Sequence, residues 1–317
     1  MTTSPSVLIC GSMAYDTIMV FHDRFKEHIL PDQLHVLSVA FLVPEMRREF
    51  GGCAGNIAYS FKLLGGDPQI MATVGSDFGP YAARLDRLDI KRDTIRELPE
   101  HFTGQAFITT DLDDNQITAF HPGAMNFSHF NRVADIAAPV ALGIVTPDGR
   151  QGMLEHCEQL AAAGIPFIFD PGQGLPMFSG AELLHMIGQA DYLTLNDYEA
   201  QLVQSKTGLS REALAAEVKA LVVTLGGDGA HIYADGVRHD IPAVAVKEIV
   251  DPTGCGDAFR AGLMYGIAQG WDWPTAGRLA SLLGALKIGQ RGGQNHIFTR
   301  AELLERYQAA FGVPLAL

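Results

Sequence analysis

The sequence predicts an α/β fold with a mostly parallel sheet covered on both faces. Two observations carry that prediction. Short β-rich apolar runs alternate with helix-length amphipathic stretches through most of the 317 residues. Two regions break the alternation and read as extended segments, which predicts a small β appendage over the larger domain. With 47% hydrophobic residues the chain can bury a large core, as one big domain or one domain with an appendage.

In chain order, the strand candidates are Val7–Cys10, Ile70–Val74, Leu142–Val145, Phe167–Asp170, Tyr192–Asn196 and Leu221–Leu225. Between several of them lie helical patterns: Asn56–Leu64 closed by Gly65-Gly66, Met153–Ala163 closed by Gly164, and Glu212–Ala220. Residues 13–21 and 34–43 are extended with no helix between, and Gln105–Thr110 and Gln116–Phe120 form a hairpin around Asp113-Asp114-Asn115. No repeat or low-complexity tract is present.

Charge and cysteine usage narrow the partners. Lys and Arg total 23 against 36 Asp and Glu, a net charge of -13 with no basic cluster, which speaks against nucleic acid and anionic membranes. Cys10, Cys53, Cys157 and Cys255 lie far apart with no CxxC, and the eleven histidines show no ligand spacing, so neither a disulfide framework nor a metal cluster is expected. The N-terminal MTTSPSVLICG has neither the basic segment nor the apolar length of a signal peptide, and a cytoplasmic protein is expected.

The stretch VDPTGCGDAF, residues 250–259, follows an apolar strand-like run and precedes an apolar helical one. It is not a P-loop, because the chain has no Gly-Lys pair. Phe259 stands where a dinucleotide fingerprint needs its third glycine, and Cys255 lacks the spacing of a nucleophile elbow. What remains is an anion cradle: the amides of Gly254, Cys255 and Gly256 turned toward one point, at a helix beginning near Asp257. Asp257 is either the N-cap or a catalytic carboxylate. A carboxylate beside a phosphate cradle is electrostatically costly without chemical work, which favours the catalytic reading.

Asp251-Pro252-Thr253-Gly254-Cys255-Gly256-Asp257 resembles the C-terminal signature of the ribokinase-like (PfkB-type) carbohydrate and nucleoside kinases, with Pro252 in the local pattern and Cys255 where Ala is usual. The resemblance spans the chain. GGCAGNIAYSFKLLGG, with Gly51, Gly52, Gly55 and Asn56, matches the N-terminal signature; NDYE, with Asn196 and Glu199, matches Asn-x-x-Glu; TLGGDG, with Thr224, Gly226 and Gly229, matches the nucleotide loop. GSMAYD, ITTDLDDNQITAFHPGAM and FDPGQG most resemble bacterial adenosine and related nucleoside kinases.

The resemblance implies a Rossmann-like three-layer αβα domain over residues 1–12, 51–100 and 126–317, with a small β-sheet lid over 13–50 and 101–125. It implies an ATP-dependent kinase of a nucleoside 5′-hydroxyl, most of all adenosine, with inosine and other purine nucleosides next. The alternatives are a kinase of a free sugar such as ribose or fructose, or a catalytically silent homologue. Asp257 would be the general base, with Gly254, Cys255 and Gly256 as the anion hole. Asp16, Gly51, Gly52 and Asn56 would hold the sugar, with Asp170 and Gln173 also facing the substrate. Asn196, Thr224, Gly226, Gly229 and Gly284 would frame ATP, Ser281 and Ala285 lying near its adenine. Glu199 would act on Mg²⁺ through water, and Asp251 and Thr253, with the loop GQRGGQ, would hold K⁺ if the family's monovalent cation is used. Phe41, Met46, Phe120 and Met125 would give the lid an apolar face for a base, while His121 is a turn residue. Monomer and homodimer both remain open.

Overall fold

The computed structural model describes residues 4–29, 38–113, 115–136 and 138–316. Along the chain the elements are β1 (Ser6–Cys10), β2 (Ala14–Val20), α1 (Phe25–His28), β3 (Glu45–Gly51), α2 (Cys53–Leu63), β4 (Asp67–Gly75), α3 (Gly79–Arg87), β5 (Ile95–Leu98), β6 (Gly104–Thr110), β7 (Gln116–His121) and β8 (Leu142–Val145). There follow α4 (Arg150–Ala162), β9 (Phe167–Phe169), α5 (Gly180–Ile187), β10 (Tyr192–Asn196), α6 (Asp197–Thr207), α7 (Arg211–Ala216), β11 (Ala220–Thr224), β12 (Ala230–Ala234), β13 (Val237–Ile241), α8 (Cys255–Ala268), α9 (Trp273–Ile288) and α10 (Arg300–Phe311).

Nine strands form one sheet in the order β13-β12-β11-β10-β9-β8-β1-β4-β5, parallel from β11 to β5, with β12 and β13 antiparallel at the edge. The period-2 alternation of each central strand splits its apolar side chains between two cores. Val7 and Ile9 of β1 and Val222 of β11 join the core under α2, α3, α8, α9 and α10; Leu8, Cys10, Leu221 and Val223 join the core under α4, α5, α6 and α7. Helices therefore cover both faces, giving three layers. Each fully buried Leu, Ile or Phe contributes roughly 1.5–3 kcal/mol to holding them together.

A second sheet, β3-β2-β6-β7, is built from two separate chain segments. The hairpin β6–β7 pairs antiparallel from Gln105↔His121 to Thr110↔Gln116, as its sequence pattern predicts. The other expected strand is displaced: residues 34–37 lie outside the described residues, 38–43 are not a strand, and β3 runs Glu45–Gly51 instead. Phe41 explains why, since its ring packs against Phe21 and Phe25 at 4.8 and 5.0 Å rather than along a sheet. The helix expected over Glu212–Ala220 ends at Ala216, because Ala220 already belongs to β11.

Candidate active site

In an open parallel sheet, ligands collect at the carboxyl ends of the strands, where the strand order reverses. Here the order reverses at β1, flanked by β4 and β8. Thr146 follows β8, Asp170 follows β9, and Asn196 and Thr224 close β10 and β11, so all four lie at the carboxyl edge of the sheet, where Arg260 of α8 reaches Asp170.

The stretch before α8 departs from expectation. Residues 242–254 form neither strand nor helix, and Ile249 is 69% exposed. The apolar run finds no sheet edge to join. Cys255 N–H donates to Pro252 O at 3.1 Å, and Gly254 at φ 77, ψ 5 takes the left-handed corner of a type II turn. Gly254 is the N-cap of α8, so Asp257 falls at the third helical position and is not the cap. Among the described residues, the Gly254 and Gly256 amides donate to no backbone carbonyl. Of the three expected cradle donors, Cys255 is engaged within its own turn.

Asp257 is oriented by a relay of amides. Asn56 Nδ2 donates to Asp257 Oδ2 at 2.8 Å; Asn56 Oδ1 accepts from Gln294 Nε2 at 3.1 Å. Gln294 Nε2 also donates to Tyr81 OH, whose hydroxyl donates to Gly51 O at 2.9 Å. Burial pushes the Asp257 carboxyl up to about 6, opposed by the Asn56 bond and by Arg260. Asp16, on β2, shares its field: burial, then the negative charges of Asp257, Asp251 and Glu49, push it to about 6 as well. A Cβ on Gly51 would lie 2.4 Å from Asp16 Oδ2, so a side chain there would displace that carboxylate. Gly52, at φ 84, would set a Cβ 2.6 Å from the Ala14 amide.

Asp170 is not a free acceptor. Its Oδ2 accepts from Arg260 Nε at 2.7 Å and Thr146 Oγ1 at 3.0 Å, and its Oδ1 accepts from Arg260 Nη2 at 2.8 Å. This buried bidentate pair replaces the expected sugar contact, whereas Gln173 is exposed on the turn after β9. Arg260 also donates to Gly256 O at 3.3 Å and stands 3.9 Å from Glu199 Oε2. Burial opposes its charge, and Asp170 and Glu199 more than restore it.

Asn196 and Glu199 form a reciprocal capping box at α6: each backbone N–H meets the other side chain at 2.7 Å. Burial raises the Glu199 pKa against the pull of Arg260. Among the described residues no three His, Cys, Asp or Glu side chains group as a metal cage. A lone, fixed carboxylate suits Mg²⁺ that arrives with phosphates and keeps its water. The residues do not suit a monovalent cation: Asp251 Oδ1 and Oδ2 accept from Thr253 N and Gly292 N at 2.9 and 2.8 Å, and Asp251 O accepts from Lys287 Nζ at 2.7 Å. Although burial alone would raise it, these amides hold the Asp251 carboxyl below its usual range.

The nucleotide-side residues divide. A Cβ on Gly226 would meet open space, while one on Gly229 would lie 2.1 Å from Ile241 O, so Gly229 serves the β11–β12 turn. A Cβ on Gly284 would make only an ordinary 3.5 Å contact with Cys255 O, so α9 passes the start of α8 there without needing a glycine. Ser281 donates to Pro242 O at 2.8 Å. On the small sheet, the register places Glu49, Ala106 and Phe120 on the same face as Asp16. Met46, opposite Met19, belongs to the other face, and Phe41 to the aromatic cluster, which corrects two of the four expected apolar contacts; Met125 is half-buried on the turn after β7.

Arg260, Thr146 and Lys287 escaped the sequence reading, and Gln294 entered it only as the end of the loop GQRGGQ, with no role toward Asp257. Arg260 and Lys287 did leave a trace: each is a lone cation inside an apolar helical run, FRAGLMYG and LLGALKIG, and such a charge has to find a buried partner.

The pfkB family carbohydrate kinase profile matches residues 12–300. The chain is 31% identical to a nucleoside kinase of Methanothermobacter thermautotrophicus over 94% of this chain and 97% of that protein. It is 55% identical to the Burkholderia thailandensis nucleoside kinase solved in complex with inosine, with TM-score 0.89 over 97% of this chain and 99% of that one. The ADP-inosine complex of the same kinase matches at 57% identity and TM-score 0.86, covering 97% of each chain.

Proposed function

Since this chain belongs to the PfkB family of carbohydrate kinases, and is thus a phosphotransferase acting on a hydroxyl group, we propose that it transfers the γ-phosphoryl of ATP to the 5′-hydroxyl of a purine nucleoside, adenosine foremost and inosine next. The observation that carries this reading is the Asn56–Asp257 bond at the N-terminus of α8, with Asp16 in the same field. Asp257 takes the proton from the 5′-hydroxyl as that oxygen attacks the γ-phosphorus. In-line transfer passes through a loose transition state, so the proton is required late and a weak carboxylate base suffices. The Gly254 and Gly256 amides and the α8 dipole stabilise charge on the transferred group. Asp16 accepts the ribose hydroxyls. When bound with ATP, Mg²⁺ neutralises the phosphate oxygens, and Glu199 would hold one of its waters.

Support for a nucleoside comes from nucleoside kinases among the relatives, including one solved with inosine. Phe120 beside Ala106, on the face of Asp16, offers a base an apolar contact that a free sugar would not need. Residues 13–50 and 101–125 would then act as a lid that closes over the nucleoside and excludes water, a competing acceptor. The alternative, a ribose or fructose kinase, is favoured by one set of relatives, such as a Bacillus subtilis ribokinase at 27% identity. Mg-ATP consumption against adenosine, inosine, guanosine, cytidine, ribose and fructose tests the proposal. Turnover of purine nucleosides above all others is expected; turnover of free sugars alone would overturn the substrate class.

A further inference from the structure

The buried end of α9 carries a charge that the mechanism above does not use. Lys287 is 0% exposed. Its Nζ donates to Asp251 O at 2.7 Å and to Gln290 O at 3.0 Å. One carbonyl belongs to the loop that enters α8 and the other to the loop that leaves α9. The same loops are stitched together by Val250 N–H and Asp251 N–H, both donating to Ile288 O at 3.0 and 3.1 Å, and by Gly292 N–H on Asp251 Oδ2 at 2.8 Å. The second loop continues into Gly293 and Gln294, which pack on and bond Asn56, the partner of Asp257. Lys287 thus ties together the two loops that set the cradle and its carboxylate.

Converging backbone carbonyls from two loops are the ligands a monovalent cation would take. An ammonium is a compact point charge with three donors and no need of a rigid geometry, so it can satisfy the same carbonyls from inside the chain. Its position also leaves the Asp251 carbonyl already engaged. We propose that the Lys287 ammonium takes the place of a dissociable monovalent cation beside the cradle, as a positioning residue, and that turnover is consequently independent of K⁺. This rests on phosphoryl transfer at the site described above.

The test is the wild-type rate with Mg-ATP and the best nucleoside acceptor, at constant ionic strength, in KCl, NaCl and N-methylglucamine chloride. The three rates are expected to agree within about twofold, since at one ionic strength the three salts screen alike. Lys287→Met removes charge-assisted bonds to two carbonyls and is expected to lower kcat roughly tenfold or more, with a smaller change in the KM for ATP. Lys287→Ala is expected to regain part of its kcat in ammonium or K⁺ but not in N-methylglucamine, which a merely structural loss would not show. A wild-type rate that rises several-fold when K⁺ replaces Na⁺ overturns the inference, as does a folded Lys287→Met protein with wild-type kcat. If neither variant folds, the wild-type salt series decides alone. Any wild-type turnover establishes phosphoryl transfer before the salts are compared, so the inference and the kinase reading fail separately.

Discussion

Arg260→Met removes the guanidinium that faces Asp170, Glu199 and the Gly256 carbonyl together. The arginine and Asp170 side chains are 8% and 3% exposed, and their two hydrogen bonds measure 2.7 and 2.8 Å. Deleting one partner of such a buried pair leaves the other charge unpaired, at a loss of about 3–5 kcal/mol. With an unfolding entropy of about 2.1 cal/mol/K per residue, a chain of this size should lose about 4.5–7.5 °C in Tm. Function should shift too. Arg260 opposes the rise in the Asp257 pKa. Its loss should move the acid limb of kcat/KM to higher pH. Differential scanning calorimetry and a pH–rate profile measure the two effects, and Arg260→Met/Asp170→Asn should restore most of the Tm by neutralising the stranded carboxylate. An Arg260→Met protein within about 1 °C of wild type, with an unmoved acid limb, would refute the reasoning, because surface-like substitutions change stability that little.

Other outcomes follow from the same geometry. For the free enzyme, kcat/KM should fall below about pH 6, where Asp16 and Asp257 take up protons, and Asp16→Asn should flatten that limb; a flat wild-type profile down to pH 5 would contradict both pKa assignments. Both folded-state values lie above the unfolded carboxylate value, so the folded protein binds more protons between the two, and these groups add stability as pH falls from about 6 toward 4. Asp257→Asn should accordingly raise the Tm at pH 8 and lose that advantage near pH 4, as a melting series would show. Gly51→Ala drives a methyl against Asp16 Oδ2, at 2.4 Å before relaxation, and should raise the nucleoside KM roughly tenfold or more while sparing the KM for ATP. Cys255→Ala should keep kcat within about twofold, since the thiol makes only a weak contact with Asp251 O at 3.8 Å; a large loss would give the sulfur a role.

The parts legible in the sequence are those where one physical signal dominates. Central strands such as Leu142–Val145 and Tyr192–Asn196 are short runs buried along most of their length and match the structure residue for residue. β3 lies outside the expected segment because EMRREFG has no buried face to write an alternation; its charges take partners of their own, Arg48 with Asp77 and Glu49 with Asn295. The hairpin β12–β13 hid for the same reason, with VRHDI mostly exposed at the sheet edge. At the site, motif residues at helix and strand ends could be located, but which of their atoms are free could not. Asp170 and the Cys255 amide look available in sequence and are committed in space, to Arg260 and to Pro252. One partner lies 90 residues away in another element and the other three residues back in the same turn, and in both cases only the folded chain decides which atoms meet.

The central claim is that Asp257, held by Asn56 at the start of α8, removes the acceptor proton. Its most direct test is the single-turnover rate of Asp257→Asn with saturating Mg-ATP and nucleoside. The amide keeps the side-chain shape but cannot act as a base. The rate is predicted to drop at least ~100-fold, with both substrates still binding and the Tm at pH 8 no lower than wild type. A rate close to wild type would contradict the account.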